Sequence, residues 1–241
     1  MAVVLAVATA CGNAGDGADH ITVFAAASLT DAFAEMAAGF TAARPGTSVE
    51  LNLGASSALA TQIEEGAPAD VFASAAGGPM DLVVAADAAA GSPQPFATNR
   101  LQIAVPPGNP GGVTGLADFA RDELLIGLCA PEVPCGAFGR EALGRAGVAP
   151  AIDTDERDVR ALLTKLEAGE LDAGLVYVTD VLAGNGAVEG VDLPDDQNVV
   201  ATYPIVALAD SDAPDVVAAF VAFVLSFEGA QILARFGFGP P

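Results

Sequence analysis

The chain has 241 residues, 52% of them hydrophobic and 17% charged. That is enough apolar material for one large or two small cores, with too few charges for long disorder beyond the N-terminus. Its 31 acidic against 9 basic side chains leave a formal net charge of −22, which excludes nucleic acid as a partner because phosphate contacts need basic patches. The acidic exterior does not exclude a small anion: exposed charges are screened beyond roughly 8 Å at physiological salt, whereas a donor at hydrogen-bond distance inside a cleft is hardly screened.

Ala2 to Ala10 is an apolar run too short to span a bilayer, which takes ~20 residues. Followed by Cys11-Gly12, it resembles the end of a bacterial lipoprotein signal. In that reading Cys11 is lipidated, and Asn13 to Asp19 is a small-residue tether. The basic segment that ordinarily opens such signals is missing here, which leaves two alternatives: a true start upstream, or a plain apolar end. No other segment is expected to cross a membrane.

Ile21–Ala27 reads as a strand. Leu29, Phe33, Met36, Ala37 and Phe40 then recur at helical spacing until Arg44-Pro45-Gly46 stops the helix. Ser48–Leu53 alternates like a strand and Ser57–Glu65 reads as a helix. Asp70–Ser74 is predicted as a strand, and Pro79–Ala89 as a helix with Pro in its first turn. Gly91 to Pro95 reads as a loop and Leu101–Val105 as a strand ended by Pro106-Pro107-Gly108. Leu124–Leu128 is a predicted strand, Gly136–Ala146 and Asp158–Ala168 are predicted helices, and Ala173–Val178 is a strand. Tyr203–Ala209 closes the strands, with Pro214–Phe227 and Glu228–Phe236 helical. Repeated strand–helix units imply an α/β protein with mostly parallel sheets flanked by helices. Two such sheets fit the length, with crossings between them near Asn99–Leu101 and Val200–Tyr203. That predicts residues 1–19 as signal remnant and tether, 20–100 with 201–241 as one lobe, and 101–200 as the other.

Ligands of open α/β sheets sit beyond the carboxyl ends of strands, where helices begin. Four segments fall there. Ser28, in Ser28-Leu29-Thr30-Asp31, is either a capping-box serine or a donor to a ligand. Ser56 and Ser57 follow Gly54 and Ala55, small residues that let backbone approach a ligand; they too are caps or donors. Pro134 has no N–H, so Cys135 and Gly136 supply the first free amides of their helix. Asp158 can cap the next helix and leave the Val159 amide directed out of its end. Tyr177, near the end of an apolar strand, either packs at the edge of the core or reaches the cleft.

Cys129 and Cys135 are separated by five residues, two of them Pro. An exported chain allows a disulfide there, and two thiols are the alternative. A structural metal site lacks ligands, since His20 is the only histidine. The same shortage argues against an enzyme: a serine nucleophile wants a histidine base, and no Gly-x-Ser-x-Gly elbow, phosphate-binding loop or dinucleotide fingerprint occurs.

Over residues 20–240 the chain resembles the molybdate-binding component of bacterial ABC importers. The resemblance rests on Phe24–Asp31, on Gln62-Ile63-Glu64-Glu65-Gly66-Ala67-Pro68-Ala69-Asp70-Val71-Phe72-Ala73-Ser74, on the Val133-Pro134-Cys135-Gly136 turn, on Asp158-Val159-Arg160 and on Leu175-Val176-Tyr177. It implies a two-lobed periplasmic-binding-protein-like fold of type II and no enzymatic activity. It also implies a protein without cofactor that hands molybdate or tungstate to a membrane permease. With the N-terminal reading, it is expected at the outer face of the membrane on a lipid anchor or free in the periplasm, and a monomer is expected because nothing in the sequence resembles an oligomer interface. Carried over position by position, Ser28 and Ser56 give hydroxyl and amide donors, Cys135 and Val159 give backbone N–H donors, and Tyr177 gives a hydroxyl. Cys135 stands where relatives often have Ala. Molybdenum is bound as an oxyanion, with no direct protein–metal ligand. Ser57 is assigned no contact. Another tetrahedral oxyanion, such as sulfate or phosphate, is the alternative ligand.

Overall fold

The computed structural model describes residues 19–241, so Cys11 and all but the last residue of the expected tether lie outside it. The chain runs β1 (Asp19–Ala26), a 3-10 turn (Ala27–Leu29), α1 (Thr30–Ala43), β2 (Thr47–Gly54), α2 (Ser56–Glu64), β3 (Val71–Ala73), α3 (Gly77–Ala85) and β4 (Gln94–Val105). It continues through β5 (Ile126–Cys129), α4 (Pro134–Arg145), β6 (Thr154–Glu156), α5 (Val159–Glu167), β7 (Ala173–Tyr177), α6 (Val178–Ala183), β8 (Glu189–Asp192), β9 (Val200–Ala207), α7 (Pro214–Val224) and α8 (Phe227–Arg235).

The strands form a two-lobed α/β fold of the periplasmic-binding-protein type. Strand order is β2-β1-β3-β9-β4-β7-β5-β6, with β8 on β4. In the first lobe β2, β1 and β3 are parallel, and β9 and β4 are antiparallel additions. In the second, β6, β5 and β7 are parallel, and β4 is antiparallel to β7 and β8. One strand serves both: β4 pairs with β9 through Arg100↔Val200, then with β7 from Leu101↔Tyr177 onward.

The periodic positions of α1 do what their spacing predicts. Phe33, Met36 and Phe40 are buried, and Phe40 meets Phe220 of α7 edge-on at 5.2 Å. Each such side chain contributes on the order of 1.5–3 kcal/mol by leaving water. Between α7 and α8 the chain bends by 59°, and Phe220, Val224 and Leu233 face inward. No single helix among the described residues is long and apolar enough to cross a membrane.

The structure differs from the expected elements at β4, at β6, β8 and α6, and at the start of α3. The segment Gln94 to Asn99, read in part as loop, is strand: Pro95 lacks an N–H but is accommodated where the β4–β9 register shifts. The short strands β6 and β8 and the single-turn-scale helix α6 carry too few residues for a periodic signal. Helix α3 begins at Gly77 rather than Pro79.

Candidate functional site

Six chain segments meet at one small cavity between the lobes. Its lining includes Ser28, Ser56, Cys135, Asp158, Val159 and Tyr177, and its volume is ≈ 10 Å³. Pockets for drug-sized molecules run to about 300–1,000 Å³, so this one takes only a very small guest. Each segment lies at or just after the carboxyl end of a strand: β1, β2, β3, β5, β6 and β7 in turn.

Ser28 sits inside the 3-10 turn and does not cap α1, whose N-cap is Leu29 without a side-chain bond. The expected capping box is therefore not formed. The Ser28 hydroxyl lies instead 2.9 Å from the Tyr203 hydroxyl. Ser56 likewise caps nothing: it is the first residue of α2, and its Oγ accepts from the Ala75 N–H at 3.0 Å. With one lone pair engaged, the Ser56 proton is free to point elsewhere. Ser57 lines an adjoining groove with Thr61, Leu82 and Arg157 rather than the cavity.

Three helix N-termini converge here, each with unclaimed amides. In α2 the first intrahelical bond is Leu59 N–H to Ala55 O. In α4 it is Ala137 N–H to Val133 O, which leaves the Cys135 and Gly136 amides outside the ladder. In α5 the Asp158 carboxylate takes the Ala161 N–H at 2.8 Å, and Leu162 N–H reaches Asp158 O, so the Val159 amide stays uncommitted. The N-terminal end of each dipole faces the cavity, and each favours an anion by about 0.3–1 kcal/mol.

Cys129 and Cys135 are bonded, with Cα atoms 5.8 Å apart. The bridge presses α4 against the end of β5 so closely that a Cβ on Gly136 would lie 2.0 Å from the Ala130 carbonyl oxygen. Arg140 Nη1 clamps the same turn, donating to Cys129 O at 2.7 Å and to Gly136 O at 3.2 Å.

Tyr177 is 1% exposed and lines the cavity, and its hydroxyl makes no hydrogen bond of ordinary geometry to the described residues, although the Tyr203 hydroxyl is close by. A buried hydroxyl without a protein partner costs about 1–3 kcal/mol, so this one is a donor that a ligand atom in the cavity can satisfy. Burial, with the Tyr203 hydroxyl and the Asp180 carboxylate nearby, pushes its phenol well above 10, so it is a proton donor at any ordinary pH.

Among the described residues neither Lys nor Arg lines the cavity. Arg160 is close in sequence but spends its guanidinium elsewhere: Nη2 is 2.6 Å from Asp31 Oδ2, and Nε is 3.3 Å from Asp180 Oδ1. The one carboxylate in the lining, Asp158, is occupied by the helix cap and lies 3.5 Å from Arg157 Nε. No group of His, Cys, Asp and Glu among the described residues is arranged to hold a metal ion. The cavity therefore offers neutral donors to a small anion.

Residues 21–239 match the family described as bacterial extracellular solute-binding protein. The chain belongs to that family. This solute-binding protein is 41% identical over 225 residues, 93% of its own length and 86% of the relative's, to Molybdate-binding protein ModA of Mycobacterium tuberculosis. Among solved structures its fold matches the periplasmic molybdate-binding protein of Azotobacter vinelandii at a TM-score of 0.80 and 20% identity, over 92% of this chain and 99% of that one. It matches the sulfate-binding protein SubI of Mycobacterium tuberculosis at 0.83 and 18%, over 92% and 87%. At those identities the two structures speak for the fold alone.

All five residues expected to meet the ligand border the cavity of this solute-binding protein. Sequence reading missed Tyr203 and Asn99, which lie directly behind Ser28. Neither belongs to a motif, and Tyr203 is 175 residues from Ser28 along the chain.

Proposed function

We propose that this solute-binding protein captures molybdate, with tungstate as its nearest competitor, outside the cytoplasm and delivers it to the membrane permease of an ABC importer. The observation that carries the reading is the Tyr177 hydroxyl: buried, unpartnered, and bordering a cavity whose other polar groups are hydroxyls and helix-end amides. The identity to molybdate-binding relatives supports the choice of ion.

In this reading Ser28 and Ser56 from the first lobe and Cys135, Val159 and Tyr177 from the second bond the tetrahedral dianion. Each charge-assisted hydrogen bond contributes roughly 1.5–3 kcal/mol net. Five to seven of them, with the helix ends, supply on the order of 10 kcal/mol. Submicromolar to nanomolar capture needs about 8–12 kcal/mol, so no cation is required. Because the donors come from both lobes, binding favours the closed arrangement, and closure is what the permease reads. The lobes are residues 20–100 with 201–241, and 101–200, a division supported by the change of partner in β4 at Leu101. The protein works as a monomer without cofactor or catalysis, tethered to the membrane through Cys11 or free in the periplasm.

A thermal-shift panel over molybdate, tungstate, sulfate, phosphate and chromate tests the assignment. The largest upward shift is expected with molybdate or tungstate. A larger shift with sulfate or phosphate reassigns the ion, and no shift with any of the five rejects the function.

A further inference from the structure

Behind Ser28 lies a chain of three buried polar side chains. Asn99 Oδ1 accepts from the Arg100 N–H at 2.9 Å, which fixes the orientation of its amide. Its two Nδ2 protons must then go outward. One goes to Thr179 Oγ1 of α6 at 2.8 Å, and the other to the Tyr203 hydroxyl at 3.4 Å. Tyr203 Oη accepts there and has a single proton left to give, and Ser28 Oγ is 2.9 Å away. If Ser28 instead donated to Tyr203, the Tyr203 proton would have to turn to the neighbouring Tyr177 hydroxyl, since the Asn99 amide nitrogen cannot accept it, and the Ser28 proton would be withdrawn from the cavity. The arrangement that serves an anion therefore runs from the Asn99 amide to the phenol, from the phenol to the serine, and from the serine proton into the cavity.

The phenol is also held in place. Tyr203 is fully buried, with Phe96, Tyr177 and Phe238 packed edge-on around its ring at 6.2, 6.2 and 5.4 Å between centroids. Burial pushes its ionisation well above the ordinary 10, so it keeps the proton that the chain requires. Asn99 occupies the stretch of β4 just before its partner changes from β9 to β7, and it bonds Thr179 at the start of α6. The chain is therefore anchored at the junction of the lobes, where it is least disturbed by their opening.

We propose that Tyr203, oriented by Asn99, is a positioning residue that makes the Ser28 hydroxyl an obligatory hydrogen-bond donor to the bound oxyanion. The proposal rests on the molybdate-binding reading. Without the phenol, the Ser28 proton is free to turn away from the ligand and the dianion loses one charge-assisted bond.

The test is a double-mutant cycle by titration calorimetry of the full chain with molybdate, with ligand-free thermal melts as the check on folding. Tyr203→Phe is expected to raise Kd about tenfold, and Ser28→Ala by a similar factor. Tyr203→Phe added to Ser28→Ala should change Kd by no more than about twofold, because the phenol acts through the serine. Asn99→Ala should weaken binding about threefold, with the same coupling to Ser28. Near wild-type affinity for Tyr203→Phe, or full additivity with Ser28→Ala, overturns the proposal while molybdate binding by the wild type stands. If Tyr203→Phe loses its cooperative melt, the Asn99→Ala cycle decides in its place, and an uncoupled Asn99→Ala overturns the proposal. Wild-type protein that binds no molybdate removes the functional reading and this proposal together.

Discussion

Arg160 of α5 reaches across the cleft to Asp31 of α1, with Nη2 2.6 Å from Oδ2. Helix α1 packs on β2 and α5 on β7, so this ion pair ties helices on the two halves of the sheet to each other across the cleft. The pair is partly exposed, with side chains 25% and 45% accessible, and such bridges contribute about 0.2–1 kcal/mol. Asp31→Asn is accordingly expected to weaken molybdate binding about two- to fivefold, mostly through faster release, without changing the stoichiometry. Stopped-flow release rates check this; an unchanged rate would show that the bridge does not hold the closed form.

Tyr177→Phe separates binding from stability. The hydroxyl makes no hydrogen bond of ordinary geometry to the described residues, so its removal costs the fold little. The variant is expected to melt at the same temperature as wild type or higher while binding molybdate at least about tenfold more weakly. A drop in the ligand-free melting temperature would mean that the hydroxyl has a structural partner after all.

Removing the disulfide should harm stability more than binding. It closes a short loop, with a sequence separation of 6, for which chain entropy predicts about 2 kcal/mol. The expected contact of Cys135 is its main-chain N–H, which survives the change. The double variant Cys129→Ala with Cys135→Ala should therefore unfold at lower urea but bind within about threefold of wild type. Gly136→Ala should do worse on both counts, since its Cβ would meet backbone oxygens at 2.0 and 2.4 Å. Paired urea melts and titrations of the two variants are the check.

Asp180 makes the fold sensitive to pH. Burial raises its pKa from 3.8 to about 7, against the attraction of Arg160. Between about pH 4 and 7 the folded protein keeps a proton that the unfolded chain has released, so this group's contribution is full below that window and is lost as pH rises through it. The loss is up to about 4 kcal/mol. Asp118 and Glu156, whose pKa values are lowered, act in the opposite sense but only below about pH 4.5. Urea melts at pH 5 and pH 7.5 should show wild type weaker at the higher pH, and Asp180→Asn should flatten that difference. An undiminished slope in the variant would place the titration elsewhere.

Much of this site was legible in the chain because its donors sit at strand-to-helix junctions, which leave local marks. Ser28 follows an apolar strand, Pro134 opens a helix, and Asp158 caps one. What those marks could not reveal is which lone pair each serine uses. Ser28 and Ser56 look like caps, yet their hydroxyl oxygens are engaged by Tyr203 and by the Ala75 amide, partners set by tertiary packing. The length of β4 was hidden by Pro95, which reads as loop but stands at the edge of a register shift. Asp180 was hidden because α6 is too short to show a period, so a buried carboxylate looked like one more surface acid.

The place of β9 has a consequence for how the protein is made. It slots between β3 and the Gln94–Arg100 half of β4, so these two strands have no common neighbour until residues 200–207 arrive. The first lobe is therefore begun earliest and completed last, and the segment from Leu101 to Val199 can finish pairing within itself while the N-terminal strands still wait. A chain that grows from its N-terminus therefore leaves the β3 edge and the first half of β4 unpaired until residues 200–207 are available to bridge them.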